Sequence, residues 1–259
     1  MEIIVLLGIA LSVLFALVIL LWAFHKVRKA HLLLYELRSQ HEKDLTTLFS
    51  QLEALHGLYL ELKFPVSLPP TRAWAASPDF LLLMAQHALD LKPETIVECG
   101  SGVSTLVLAR GMQLKGSGHV YSLEHDSEFT QKTRQHLERH KLSKWATVFH
   151  APLHGHHLHG EQWPWYSEEV LPKLPIDMLV IDGPPYTVRS LARYPAGPIL
   201  FNRLNDFAVV LIDDTNREDE RKILGMWASE FPELDQQLAE CEKGCTIIRK
   251  KGKTLKESI

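Results

Sequence analysis

Glu98, Glu124, Asp182 and Asp213, the last with Asp214 behind it, follow directly on short apolar runs, where the edge of a sheet would present a carboxylate to a ligand. Residues 95–105 read Thr-Ile-Val-Glu-Cys-Gly-Ser-Gly-Val-Ser-Thr. Ile96 and Val97 predict the end of a buried parallel strand. Gly100, Ser101 and Gly102 predict a turn into a helix that begins near Ser104, with glycines that let the backbone approach a ligand closely. The acid precedes the glycines, and Thr105 stands where a dinucleotide fingerprint needs its third glycine. This argues against a pyrophosphate on the helix N-terminus and for a cationic ligand that a carboxylate can hold. Glu124 closes the run 120–123, 24 residues after Gly100. That spacing places an acid to take both hydroxyls of a ribose. His125 and Asp126 follow, one of them placed for a base edge, with Asp126 better suited to cap the next helix.

Asp182 closes the run 177–181, and Gly183-Pro184-Pro185-Tyr186 then bends the chain sharply. Asp213 and Asp214 close the run 209–212 and face the same crevice as Asp182. His150, His154, His156, His157 and His159 crowd one stretch. No cysteine or ordered second pair accompanies them, so a polar surface insertion is expected rather than a zinc site. For Trp163, Trp165 and Tyr166 just beyond, stacking on a sugar, contact with a bilayer surface and ordinary packing under a lid stay open.

These residues need elements to hold them. The chain has 259 residues, 46% hydrophobic and 23% charged, with a formal net charge of -3. That suits one domain with extra chain, and no basic field invites nucleic acid. Cys99, Cys241 and Cys245 suggest no disulfide framework. Ile3 to Phe24 is apolar and free of charge, and it matches the ~20 residues that cross a bilayer as a helix. The run lacks the basic lead and cleavage site of a signal peptide, so residues 1–25 read as a retained anchor. Lys26, Arg28 and Lys29 follow, which places the N-terminus outside and the rest in the cytoplasm. Residues 26–63 read as a helical stalk. Its stripe, Leu34, Leu37, Leu45, Leu48, Leu52, Leu55, Tyr59 and Leu62, fits a homodimeric coiled coil or a face folded back on the domain; we favour the former. The prolines at 65, 69, 70 and 78 open the domain, expected over 64–251. Residues 252–259 read as a basic tail.

After Pro93, strands expected at 95–98, 119–123, 147–150, 177–181 and 208–212 alternate with stretches at 103–115, 126–141 and 185–205 that can hold helices. This α/β pattern implies right-handed crossovers and a mostly parallel sheet. Two more strands are expected in 234–250, turning at Lys243-Gly244.

With Glu-x-Gly-Ser-Gly at 98–102 and Asp-Gly at 182–183, the chain resembles the class I S-adenosylmethionine-dependent methyltransferases, and within them the methyltransferase domain 24 family. The resemblance spans about 70–250. It implies a Rossmann-like seven-stranded sheet, mostly parallel, with an antiparallel C-terminal hairpin. S-adenosylmethionine suits the residues, since its amino group and sulfonium are cationic. The resemblance further implies that Glu98, Gly100, Ser101, Gly102 and Ser104 hold the methionine part. It assigns Glu124 and His125 to the nucleoside, and Ala151, Pro152 and Leu153 to the adenine pocket. Asp182, with Asp213, is expected to act as general base or to position the acceptor. Catechol O-methyltransferase and its relatives hold a divalent ion between matching acids, so Asp182, Asp213 and Asp214 form a candidate metal site. That family has Asn after the second acid, whereas here Asp213-Asp214 is followed by Thr215-Asn216.

The function expected is O-methylation of a small-molecule, glycan or lipid-linked acceptor at the membrane. Arg189, Arg193 and Arg203 read as a basic helix face or as a guide for an anionic acceptor. Two other readings compete: an inert methyltransferase-fold scaffold that works through its stalk, and a nicotinamide-dependent oxidoreductase, against which the missing third glycine counts.

Overall fold

The computed structural model describes residues 1–72 and 74–251; the tail expected at 252–259 lies outside the described residues. No proline occurs before Pro65, and the expected anchor and stalk form one unbroken helix, α1 (Glu2–Leu62). The chain divides into two compact units, Met1–Ser50 and one that starts at Gln51. In the first, every residue of the helix is exposed.

The second unit takes in the last turns of α1, ahead of the boundary expected at Phe64. Gln51, Ala54, Leu58 and Leu62 are buried. The Gln51 amide donates to Asp79 at 2.8 Å, and the Arg110 guanidinium closes the helix end by donating to the carbonyls of Leu62 and Lys63. The expected stripe therefore splits. Leu55 and Leu62 pack into the second unit, while Leu34, Leu37, Leu45, Leu48 and Leu52 stay exposed.

The elements beyond α1 are α2 (Pro78–Leu91), β1 (Thr95–Cys99), α3 (Val103–Lys115), β2 (His119–Glu124), α4 (Ser127–Arg139) and β3 (Ala146–His150). Next come β4 (Leu153–Leu158), β5 (Glu161–Tyr166), β6 (Ile176–Ile181), α5 (Ala196–Leu200), β7 (Leu204–Asp213), α6 (Glu218–Glu230), β8 (Leu234–Ala239) and β9 (Cys245–Lys250). Seven strands form one sheet in the order β3-β2-β1-β6-β7-β9-β8. The first five run parallel, and β9 lies antiparallel to β7 and β8. This is the expected Rossmann-like sheet with its closing hairpin.

Alternation along the strands feeds two cores. Ile96, Val120, Met178, Val180, Val209 and Leu211 face α2, α3 and the end of α1. Val97, Leu123, Leu179, Ile181, Val210 and Ile212 face α5, α6 and the β4–β5 hairpin.

One expectation fails. The stretch 185–205 holds only the single turn of α5 and a 3-10 turn at Phe201–Arg203, because Pro185, Pro195 and Pro198 interrupt it. The His-rich insertion is a regular hairpin, with His154 paired to Trp165 and His156 to Trp163. Ser77 precedes α2 as expected, but its hydroxyl bonds Asp79, and it is Asp79 that accepts the Phe80 N–H.

Truncating Leu58, which is fully buried, leaves a cavity under α2. We expect Leu58→Ala to cost about 2–4 kcal/mol, and Leu37→Ala, at an exposed position, to stay within roughly 0.5 kcal/mol. Thermal unfolding of the full chain in detergent checks the pair.

Candidate active site

The strand order reverses between β1 and β6, and at such a switch point an open α/β sheet leaves a crevice beyond its carboxyl ends. The Gly100 N–H donates to Leu123 and the Asp182 N–H to Cys99, both at 2.9 Å, which stitches the three strand ends together. Gly100 has φ 96°, a region that favours glycine, and a Cβ there would lie 3.1 Å from the Gly183 nitrogen. A Cβ on Gly183 would in turn meet the Tyr166 hydroxyl and Gly100. Two bare backbones thus form the floor of a cavity of about 360 Å³. That volume lies within the usual range for small-ligand sites.

Gly100, Ser101, Gly102, Ser104, Glu124, His125 and Asp182 line this cavity together, as expected. Glu98 does not. Strand alternation turns its side chain to the face shared by Ile96, beneath α3, where it is fully buried. Its Oε2 accepts the Thr105 hydroxyl at 2.6 Å, and Thr105 Oγ1 accepts the Gly102 N–H at 3.0 Å. Glu98 therefore shapes the glycine turn from behind instead of gripping the ligand. Burial raises its pKa from 4.5 to about 7, against the pull of the Ser104, Ser122 and Thr105 hydroxyls.

Glu124 stands at the cavity wall. Its carboxylate accepts the N–H groups of Ser101 and Asp126, both at 3.0 Å, and His125 Nδ1 lies 3.0 Å from Oε1. Burial opposes its ionisation, but His125 and these two backbone donors outweigh burial and hold its pKa below the ordinary value. The same contact with Glu124 raises the pKa of His125. An ionised carboxylate fixed in this way suits two ribose hydroxyls. Asp126 caps α4, accepting the N–H groups of Glu128 and Phe129 at 2.8 and 2.9 Å.

Ala151 donates its N–H to the Glu124 carbonyl at 2.7 Å but is fully buried, and neither it nor Pro152 nor Leu153 lines the cavity. Leu153 instead begins β4. The wall expected from that loop comes from α4, whose Phe129, Lys132, Thr133 and His136 lie one helical face apart and all reach the cavity. The i, i+3, i+4, i+7 spacing of these four was the signal available in the sequence. Tyr166 also lines the cavity, and its buried hydroxyl has no partner among the described residues. Trp163 and Trp165 are buried packing. His154 and His156 share a face of β4 near Glu168, with ligand atoms of all three within 4.8 Å of one another.

On the far side of the crevice, Asp182, Asp213 and Asp214 bring carboxylate oxygens within 4.8 Å of one another. Asp213 lies on the face shared by Val209 and Leu211, is fully buried and takes the Asp214 N–H at 2.8 Å, so it does not reach the cavity. Asp214, with φ 64°, turns out of the strand and does reach it. Burial raises the pKa of Asp182, with Arg193 opposing and Asp214 adding to the rise. Arg193, expected as part of a basic helix face or as a guide for an anionic acceptor, lies between these acids instead. Arg193 is 3% exposed, and its Nη2 lies 2.7 Å from Asp214 Oδ2 and 3.2 Å from Asp182 Oδ1. Its Nη1 donates to the Asp213 carbonyl at 2.8 Å. A guanidinium already occupies the space between the two cavity-side acids, so this trio does not fit a divalent ion. Arg189 packs its guanidinium 3.7 Å above Trp163, and Arg203 bonds the carbonyls of Pro172 and Leu174, so neither forms part of the site.

A turn of bare backbone, a fixed acid at the wall and an acidic rim across one crevice are parts that class I S-adenosylmethionine-dependent methyltransferases share, and the sheet has the fold of one. Residues 97–215 match the methyltransferase domain family known as methyltransferase domain 24. No curated protein sequence matches the chain. An SAH-bound methyltransferase from Podospora anserina is 17% identical, with a TM-score of 0.53 over 76% of this chain and 88% of that one. An O-methyltransferase from Bacillus cereus in complex with SAH is 18% identical, with a TM-score of 0.52 over 78% and 91%. The O-methyltransferase TomG from Streptomyces achromogenes, in complex with SAM, is 16% identical, with a TM-score of 0.51 over 78% and 89%.

Glu124→Ala removes the fixed carboxylate at the cavity wall, and we expect it to weaken S-adenosylmethionine binding by about tenfold to hundredfold in calorimetry, or roughly 1.4–3 kcal/mol. Glu98 makes a different prediction. With a folded pKa near 7 against 4.5, the native state keeps a proton that the unfolded chain has released, so stability falls as pH rises through that window. Glu98→Gln should flatten this slope, worth about 2–3 kcal/mol, in urea titrations run from pH 4.5 to pH 8.

Proposed function

We propose that the chain is a membrane-anchored O-methyltransferase acting on a small-molecule, glycan or lipid-linked acceptor at the cytoplasmic face of a bilayer. The observation that carries this reading is the cavity that joins the Gly100–Gly102 turn and Glu124 to Asp182 and Asp214. The O-methyltransferases among the structural neighbours support an oxygen nucleophile.

When bound, S-adenosylmethionine supplies an electrophilic methyl group on its sulfonium. Glu124 holds the ribose, and the bare turn accommodates the methionine part. Asp182, at the rim, orients the acceptor hydroxyl and takes its proton as oxygen attacks. The raised pKa of Asp182 suits a base that must return that proton near neutral pH. Tyr166, fully buried at the cavity, keeps water from the reacting atoms on its side, and the more exposed Phe129 and Trp74 line the mouth.

Support for the anchor comes from α1. Its apolar stretch has a mean hydropathy of 3.3 over 18 residues and is wholly exposed. Leaving that surface in water costs about 25 cal/mol for each Å², and a bilayer removes the cost. Lys26, Arg28 and Lys29 favour a cytoplasmic site for the chain beyond them. The exposed leucines from Leu34 to Leu52 support self-association of the stalk.

Asp182→Asn should leave S-adenosylmethionine binding within about twofold while lowering methyl transfer by about 10²–10⁴-fold. The assay incubates labelled methyl donor with membrane extracts and the full chain, and mass spectrometry identifies the product that gains one methyl group. Transfer unchanged in Asp182→Asn would remove this residue from the chemistry.

A further inference from the structure

Arg193 sits where the fold brings three acidic strand ends together. Asp182 comes directly after β6, Asp213 ends β7 and Asp214 comes directly after it, and these neighbouring parallel strands leave their carboxylates within 4.8 Å of one another. A divalent ion in such a place needs oxygen ligands at about 2.0–2.6 Å and an open centre. The centre is not open. Arg193 Nη2 bridges Asp182 Oδ1 and Asp214 Oδ2 at 3.2 and 2.7 Å, and it also donates to the Asp182 carbonyl at 3.0 Å.

The remaining contacts lock the guanidinium in place. Nη1 is held by the Asp213 carbonyl at 2.8 Å, and Nε faces Glu220 Oε1 at 3.8 Å. Glu220 is itself buried, at the start of α6. Arg217 adds a second cation, 2.8 Å from Asp214 Oδ2, so both cavity-side acids are already compensated. A metal ion placed among them would face the fixed charge of Arg193 at contact distance in a poorly screened setting. Arg193 is nevertheless not sealed away, because it lines the cavity beside Asp182 and Asp214.

We infer that Arg193 is a built-in cation that takes the place of a divalent metal at the acceptor side, positioning Asp182 and Asp214 for an oxygen nucleophile, so that this enzyme works without a metal at that site. The inference rests on the methyltransferase reading proposed above. It assigns Arg193 a positioning role, exerted through the two acids.

The test uses the full chain in detergent, with Mn²⁺ as the probe and electron paramagnetic resonance reporting free ion. S-adenosylmethionine binding is measured by calorimetry on the same samples. The wild-type chain should show no Mn²⁺ binding that Asp214→Asn abolishes. Arg193→Ala should open the trio and gain a Mn²⁺ site at least tenfold tighter than any in the wild type, lost again when Asp214→Asn is added. Arg193→Lys keeps a charge in place and should gain none. Wild-type binding that depends on Asp214 would overturn the inference, as would a folded Arg193→Ala that binds no Mn²⁺. If Arg193→Ala does not fold, the wild type and Arg193→Lys decide, and Asp214-dependent binding in either sinks the idea. Failure of S-adenosylmethionine to bind the wild-type chain would strike the methyltransferase reading itself, whatever manganese does.

Discussion

Buried negative charge is the constraint around which the carboxyl edge of this sheet is organised. Glu98, Asp213, Asp214 and Glu220 are all buried, and Asp182 adjoins them. Several uncompensated carboxylates in so small a volume would not coexist with a folded sheet, since each costs several kcal/mol to bury alone. The structure meets the problem in three ways. Glu98 is raised towards neutrality by its burial, Asp213 is satisfied in part by the next backbone N–H, and Asp182, Asp214 and Glu220 share Arg193. Removing one partner of such a buried network is worth about 3–5 kcal/mol, so the acidic rim and the guanidinium have to be kept together.

On the donor side the same economy is reached with backbone instead of a counter-ion. Glu124 is held by the N–H groups of Ser101 and Asp126, and by His125. Charge-assisted bonds of this kind fix a carboxylate without a bulky cation beside it. That leaves room at the wall for a ribose, while the close approach of Gly100 and Gly183 leaves room at the floor. Each half of the cavity is therefore shaped by how its acid is neutralised.

This division explains what could be read from the sequence. The strand ends were legible because they are local: an apolar run, then an acid, then glycine or proline. Glu124, Asp182 and the Gly100–Gly102 turn, which the structure gathers around one cavity, are legible in this way, and so are the positions of the parallel strands. The orientation of a side chain at a strand end depends on alternation carried through the last residue, which is why Glu98 and Asp213 were placed in the ligand site when they point beneath a helix or into the core. Arg193 was hidden for another reason. It lies in a stretch without periodicity, broken by Pro185, Pro195 and Pro198, and its meaning comes from residues distant in sequence on two strands and a helix. The β4–β5 hairpin was masked by its own composition, since Gly155 and Pro164 weaken the strand signal of alternating Trp163 and Trp165. The leucine stripe of α1 was seen in full, but one helical period serves equally for a partner helix and for a domain core, and here Leu55 and Leu62 belong to the core.

The walls of the cavity fall into two classes with different consequences. The turn after β1, the end of β2 and the face of α4 belong to the repeating β–α pattern, and they enclose the methyl donor's side. The opposite wall is drawn from outside that pattern: Pro69, Pro70 and Trp74 ahead of α2, Pro185 and Thr187 after the Gly183–Pro184 bend, Arg217 before α6 and Lys243 in the last hairpin. Trp74 stacks on Tyr186, and Arg217 lies 5.2 Å from the centre of the Tyr186 ring. This wall sets a stacked aromatic pair next to fixed positive charge, beside Asp182 and Asp214. A fold shared by many methyltransferases does not choose a substrate. Two of these irregular segments, those that carry Arg193 and Arg217, are tied to the strand ends through Asp214.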